Sequence, residues 1–197
     1  MPEGTRRLEA PYFDALYERS PDPWDFETSP YEQHKYARTL AALGRPERRF
    51  SRALEVGCSI GVLTERLAPR CDAILAVDLS ALAVGRARAR LTGWPNVTVE
   101  RRRLPEQMPG GPFDLLLCSE VLYYWDAPLL RAAAPVLAGA LSPGGSLVAV
   151  HWRPATRDYP LLGDEVHMIL AEELDGLEHV TCEAESRYRL DRWDRAA

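Results

Sequence analysis

Lysine and asparagine are nearly missing from this chain of 197 residues: Lys35 is the only lysine and Asn96 the only asparagine. Positive charge therefore comes almost wholly from arginine. Lys and Arg together number 24 against 29 Asp and Glu, a formal net charge of −5. That balance lacks the basic surplus of a nucleic-acid binder. The tightest basic run, Arg101-Arg102-Arg103, reads as a strand end facing solvent. No stretch approaches the roughly 20 apolar residues that span a bilayer. The opening Met1-Pro2-Glu3-Gly4-Thr5-Arg6-Arg7 has no apolar segment behind its arginines, so it does not read as a secretory leader. The four cysteines, Cys58, Cys71, Cys118 and Cys182, form no Cys-x-x-Cys pair, and His34, His151, His167 and His179 show no ligand spacing. This predicts a reducing cytoplasm, no disulfide framework and no metal site.

What is present is ordinary for a globular domain: 46% hydrophobic and 27% charged residues, in a length that suits one domain. No internal repeat or low-complexity tract interrupts it. Residues 1–45 read as an N-terminal helical cap and 46–197 as a Rossmann-like core. In the cap, Pro11 to Tyr17 predicts a short amphipathic helix, Ser20-Pro21-Asp22-Pro23-Trp24 a turn, and Pro30 to Leu43 a second helix, capped by Ser29 and ended by Gly44.

Strands and helices then alternate. Strands are predicted at Ala53–Val56, Ala73–Val77, Asn96–Arg103, Phe113–Ser119 and Ser146–Val150. Helices are predicted at Val62–Ala68, from the Ser80 cap to Leu91, and at Ala127–Ala140, where Pro135 is placed to kink the chain. Near-continuous apolar runs in the strands predict a parallel sheet covered on both faces, an α/β doubly wound fold. A helix at Gly163–Leu174 and two strands, Leu177–Glu185 and Tyr188–Trp193, close the chain as an antiparallel pair, bringing the sheet to seven strands.

The first strand runs into Glu55-Val56-Gly57-Cys58-Ser59-Ile60-Gly61. Gly57 and Gly61 free the backbone for a sharp turn and close ligand approach, and the next helix offers unpaired N–H groups. A dinucleotide loop wants G-x-G-x-x-G, but Ser59 and Val62 stand at its second and third glycine positions. Glu55 would repel a pyrophosphate and suits a ligand with a cationic amino-acid tail. Asp78, at the end of the second strand, can accept both ribose hydroxyls, with Leu79 beside it.

The E-x-G-x-x-x-G pattern with Asp78 resembles the S-adenosylmethionine (SAM) signature of class I methyltransferases. Phe113 to Leu122 resembles their fourth-strand motif, and Leu141-Ser142-Pro143-Gly144-Gly145 their turn before strand five. The resemblance covers residues 30–195. It implies SAM as cofactor, held by Glu55, Gly57, Cys58, Ser59, Gly61, Asp78, Leu79 and Ser119. The acidic residue that often reads the adenine amine is replaced by the run Arg102-Arg103-Leu104-Pro105-Glu106, so adenine recognition is assigned to backbone groups near Arg103 and Leu104.

Two segments resemble the nodulation protein S family more narrowly. The first is Tyr12 to Tyr17 with Asp22-Pro23-Trp24-Asp25-Phe26 and Tyr31-Glu32-Gln33-His34-Lys35-Tyr36. The second is Glu55 to Thr64 with Ser119-Glu120-Val121-Leu122-Tyr123-Tyr124. Those enzymes N-methylate the free amine of a deacetylated amino sugar on a chitin-like oligosaccharide. The resemblance implies that Trp24 covers the cofactor, as aromatic faces suit cations, and that Lys35 pairs with its carboxylate.

An amine acceptor must be neutral when it attacks, so a nearby base is useful. Glu120 and His151, both placed just past strand ends, are the catalytic candidates, one as base and one as orienter. Tyr31, His34, Tyr123, Tyr124 and Trp152 are the acceptor-site candidates. The acceptor is expected to be a small molecule or saccharide, with no nucleic-acid or membrane partner and a monomer or homodimer as the working form. O-methylation of a sugar or natural product, and a catalytically silent SAM-binding module, stay open as alternatives; the missing middle glycine disfavours a nicotinamide dehydrogenase.

Overall fold

The computed structural model describes residues 6–197; the reading of Met1–Thr5 as no leader lies outside them. The described residues form two compact units, one of Glu9–Pro109 and one of residues 6–8 with Gly110–Ala197.

The Glu9–Pro109 unit holds α1 (Ala10–Arg19), α2 (Pro30–Ala42), β1 (Ala53–Val56), α3 (Val62–Leu67), β2 (Ile74–Asp78), α4 (Ala81–Arg90) and β3 (Val97–Arg101). Both β1–β2 and β2–β3 pair in parallel. All four β1 residues are buried, as a strand covered on both faces requires. Ser29 caps α2 by accepting from Glu32 N, with Pro30 as the first helical residue. Ser80 caps α4 through Ala83 N at 3.2 Å. The N-terminal helices belong to this unit rather than standing apart. Ser80 Oγ donates to Asp14 at 2.5 Å. Arg86 binds the carbonyls of Tyr17, Ser20 and Pro21, closing the C-terminal end of α1 onto α4.

The third strand ends at Arg101, two residues earlier than the sequence suggests. Beyond it Arg103 N turns to donate to Gln107 Oε1 at 2.7 Å, which ends the ladder.

The second unit holds β4 (Phe113–Ser119), α5 (Ala127–Gly139), β5 (Leu141–Trp152), α6 (Gly163–Glu173), β6 (Leu177–Ala184) and β7 (Tyr188–Arg195). β4 and β5 are parallel; β7 runs antiparallel to both β5 and β6. Asp126 caps α5 through Leu129 N at 2.9 Å, and the helix continues through Pro135.

β5 is longer than predicted at both ends. Its pairing with β7 reaches Trp152↔Tyr188, so His151 and Trp152 lie within the strand rather than past it. At its other end the Ser142–Gly145 turn is absorbed as an irregularity opposite Phe113–Leu115, with Gly144 at φ 72°. Gly163 opens α6 where a Cβ would sit 2.2 Å from Trp152 O; only glycine lets the helix start that close to β5. Among the described residues no helix is long and apolar enough to cross a membrane.

Candidate functional site

The loop after β1 is built on backbone strain. Gly57, Ser59 and Gly61 have φ of 75°, 50° and 82°, a left-handed region that glycine enters freely and serine rarely. Gly57 N and Cys58 N both donate to Val77 O, at 2.8 and 3.0 Å, which fixes the loop against the end of β2. A Cβ on Gly61 would approach Leu91 Cδ1 to 3.0 Å and the Ala87 backbone to 3.3 Å, so α3 starts hard against the end of α4.

Asp78 holds this arrangement together. Its Oδ2 accepts from Ser59 N at 2.9 Å and its Oδ1 from Ser80 N at 2.8 Å. One carboxylate thus ties the glycine loop to the turn that starts α4. It still has acceptor capacity, since each carboxylate oxygen offers two lone pairs. Above the loop, Tyr17 OH lies 2.5 Å from Ser59 Oγ. Trp24 stands edge-on to Tyr17 at 5.7 Å and stacks on Phe26 at 5.4 Å. Trp24, to which the family resemblance gives the part of covering the cofactor, thus meets edge-on the tyrosine that touches the loop.

Glu55 is buried at 2% exposure, and its Oε2 has no hydrogen-bond partner. A buried carboxylate without full hydrogen bonding is costly unless a cation or donor completes it. Burial pushes its pKa up to about 7, with Asp78 adding to the rise and Thr64 opposing it. An ammonium group on a bound ligand would supply the missing partner, so the residues present fit the amino-acid tail of SAM. Binding such a group needs the carboxylate form and must lower this pKa. S-adenosylhomocysteine (SAH) affinity should accordingly rise between pH 5.5 and 7.5, with proton release on binding near neutral pH. Titration calorimetry in buffers of different ionisation enthalpy checks this, and Glu55→Gln should remove the proton release.

Leu79 lines a cavity of about 550 Å³ with Glu9, Ala10, Pro11, Arg101, Arg102, Arg103 and Gln107. The backbone route to adenine suggested by the sequence is narrower than supposed. Arg103 N–H is already taken by Gln107 Oε1, and the Arg103 side chain pairs with Glu9 at 2.6 Å. Leu104 is buried. Sequence reasoning missed Gln107, whose role depends on the chain folding back over four residues.

On α2, Lys35 is 1% exposed. Its Nζ lies 2.9 Å from Glu32 Oε1 and 5.1 Å from the Tyr31 ring centre. The anion beside this lysine in the structure is thus Glu32, one turn back on the same helix, where the sequence reading had placed the cofactor's carboxylate. Tyr31 is half-buried and His34 exposed.

In the second unit a polar and aromatic cluster forms where β4 ends. Ser119 is the last residue of β4. Glu120 follows with φ 55°, a strained conformation for a residue with a side chain. Its Oε2 accepts from Tyr123 OH at 2.5 Å and from Trp152 N at 2.9 Å. Burial and the Glu120 carboxylate push the Tyr123 phenol well above its ordinary pKa, so it stays a donor. Leu122–Tyr124 form a 3₁₀ turn. Tyr123 stacks on Tyr159 at 4.7 Å, Tyr124 meets both rings edge-on at 4.7 and 4.8 Å, and Leu161 N donates to Tyr123 O. Tyr159 was not among the named acceptor candidates, although its segment, Asp158-Tyr159-Pro160, reads from the sequence as a loop at the carboxyl end of a strand, where substrate loops sit.

His151 differs most from its sequence-based placing. It is fully buried, its Nε2 accepts from Leu122 N at 3.2 Å, and its Nδ1 lies 3.0 Å from His167 Nε2. Both ring nitrogens are engaged inside the protein, so His151 does not flank an acceptor as the sequence suggests. The structure also brings His179, Cys182 and Asp191 within 4.8 Å of one another. Strand residues three apart normally face opposite sides, and the irregularity between His179 and Thr181 turns both toward Asp191. The carboxylate there is bound by Arg189 Nε at 2.8 Å, a positive charge that opposes a cation.

The family model for nodulation protein S matches residues 16–183. The chain belongs to the nodulation protein S family. Nodulation protein S of Bradyrhizobium diazoefficiens is 37% identical over 133 residues, 64% of this chain and 61% of that protein. The aligned segment thus spans about three fifths of that curated relative. The solved N-methyltransferase NodS of Bradyrhizobium japonicum WM9, in complex with SAH, superimposes with a TM-score of 0.81 at 28% identity, covering 93% of this chain and 98% of the other. A Pseudomonas syringae protein put forward as a methyltransferase is 42% identical, with a TM-score of 0.73 over 84% of this chain and 99% of its own. The fold is that of the class I methyltransferases, a seven-stranded, mostly parallel sheet with an antiparallel C-terminal pair.

Proposed function

We propose that this protein is a SAM-dependent N-methyltransferase that acts on an amine of a small molecule, with an amino sugar or its oligosaccharide as the acceptor class. Membership of the nodulation protein S family supports the acceptor class. The observation that carries the chemistry is Glu120: a strained residue at the end of β4 whose carboxylate is held by Tyr123 OH and Trp152 N.

Glu55, Gly57, Cys58, Ser59, Gly61, Asp78 and Leu79 hold the cofactor. When bound, SAM supplies a methyl group already activated for displacement. The chain's own residues then have two tasks, to orient an acceptor and to manage its proton. An ammonium group has no lone pair with which to attack. Glu120 accepts a hydrogen bond from the acceptor ammonium and takes its proton, which frees the nitrogen lone pair before the new carbon–nitrogen bond forms. Tyr123 and Trp152 fix the carboxylate so that its orientation needs no rearrangement. Tyr123 and Tyr124 are buried and back the half-buried Tyr159, whose ring offers a flat aromatic face for the apolar side of a sugar ring.

The test uses two acceptors that differ only at nitrogen, a glucosamine oligosaccharide and its fully N-acetylated counterpart. Transfer of labelled methyl from SAM to the first alone supports the reading. Equal transfer to both would point to a hydroxyl acceptor. No transfer to either, with SAH still binding, would favour a silent SAM-binding module.

A further inference from the structure

Behind Glu120 a chain of buried groups crosses the Gly110–Ala197 unit. Leu122 N donates to His151 Nε2 at 3.2 Å, His151 Nδ1 meets His167 Nε2 at 3.0 Å, and His167 Nδ1 meets Asp191 Oδ2 at 2.8 Å. His151, His167 and Asp191 are each 0% exposed. The four residues come from the turn after β4, from β5, from α6 and from β7.

The two ends of this chain dictate every proton in it. A backbone N–H can only donate, so His151 Nε2 must be a bare acceptor. A neutral imidazole carries one N–H, which places the His151 proton on Nδ1, pointing at His167. His167 Nε2 must then be bare, and its proton sits on Nδ1, donated to the Asp191 carboxylate. Protonating either ring a second time would set two N–H groups face to face. Burial lowers the pKa of His167 and outweighs the opposing pull of Asp191, in keeping with a neutral pair. Arg189 Nε, 2.8 Å from Asp191 Oδ2, keeps the carboxylate end anionic.

We propose that His167 and Asp191 are positioning residues of the acceptor site: by holding His151 in its Nδ1–H form they lock the Leu122–Tyr124 turn and, through Tyr123, the Glu120 carboxylate. His151 also precedes Trp152, whose N–H is the second donor to Glu120. The network thus braces both contacts that aim the carboxylate. The proposal rests on the reading of Glu120 as the group that faces the acceptor.

The test compares wild type with His167→Phe, which removes the acceptor for His151 Nδ1–H, and His167→Gln, whose side-chain oxygen can replace it. Three readouts are taken: ¹⁵N spectra of the labelled imidazoles, hydrogen exchange at the Leu122 amide, and methyl transfer to the glucosamine oligosaccharide. Wild type should show both histidines protonated at Nδ1 only. His167→Phe should lose Leu122 protection and lower kcat roughly 10- to 100-fold, the order of effect that slight misplacement of a reacting group produces, with SAH affinity unchanged. His167→Gln should restore both. A wild-type His151 protonated at Nε2, or a folded His167→Phe with full kcat, would overturn the proposal. If His167→Phe does not fold, His167→Gln decides: loss of the Nδ1–H form of His151 with kcat retained overturns it equally. If the wild type methylates no amine, the acceptor reading fails by itself, and a still-protected Leu122 amide in His167→Phe would separately refute the lock.

Discussion

Asp78→Ala should weaken SAH binding by at least about 100-fold, the largest effect expected of any cofactor-site change. The carboxylate accepts from Ser59 N and Ser80 N, so its removal frees a strained loop at Ser59 and strips the site of its ribose acceptor together. Hydrogen bonds to charged groups contribute about 1.5–3 kcal/mol each, and about 2.7 kcal/mol corresponds to 100-fold. Asp78→Asn should recover little. An amide has one acceptor oxygen, and its NH₂ would face one of the two backbone N–H donors. Titration calorimetry with SAH measures the loss, and a thermal melt without ligand separates it from unfolding. Affinity within twofold of wild type for a folded Asp78→Ala would remove Asp78 from the cofactor site.

Glu120→Gln should lower kcat for an amine acceptor by about 100- to 10,000-fold, the range usual for loss of a general base. Glutamine can still accept from Tyr123 OH and Trp152 N, so the turn and its neighbours should remain in place. What it cannot do is take a proton. The KM for SAM should change little, because glutamine keeps the size of Glu120 and its two accepted hydrogen bonds, and no cofactor residue is altered. Steady-state kinetics at saturating SAM reads this directly, and thermal melting confirms the fold. A variant that retains kcat would show that the acceptor amine loses its proton elsewhere, to solvent before binding or to another group.

The contrast between Glu55 and Asp78 shows how far local pattern reaches. Both were legible from spacing alone, because a glycine loop after a strand and an acid at the end of the next strand are fixed by the βαβ connection itself. Their different environments were not legible. Burial raises the pKa of both, but backbone donors at Ser80, Ser59 and Leu79 oppose the rise at Asp78, whereas Glu55 has one oxygen unpartnered and its pKa pushed up to about 7. That difference arises from what packs around each strand end.

The sequence by itself determined the order of strands and helices, the bounds of β1 and β4, the Ser29 and Ser80 caps and the E-x-G-x-x-x-G loop. These follow from apolar runs, capping chemistry and glycine placement, which act over a few residues. Only the tertiary structure decided that His151 lies inside β5 with both nitrogens engaged, that His167 and Asp191 stand behind it, that Tyr159 joins Tyr123 and Tyr124, and that Glu32 holds Lys35. The histidine network joins residues up to 69 positions apart (122 to 191) along the chain. No periodicity links such positions, because the pairing of β5 with β7 and the start of α6 at Gly163 bring them together.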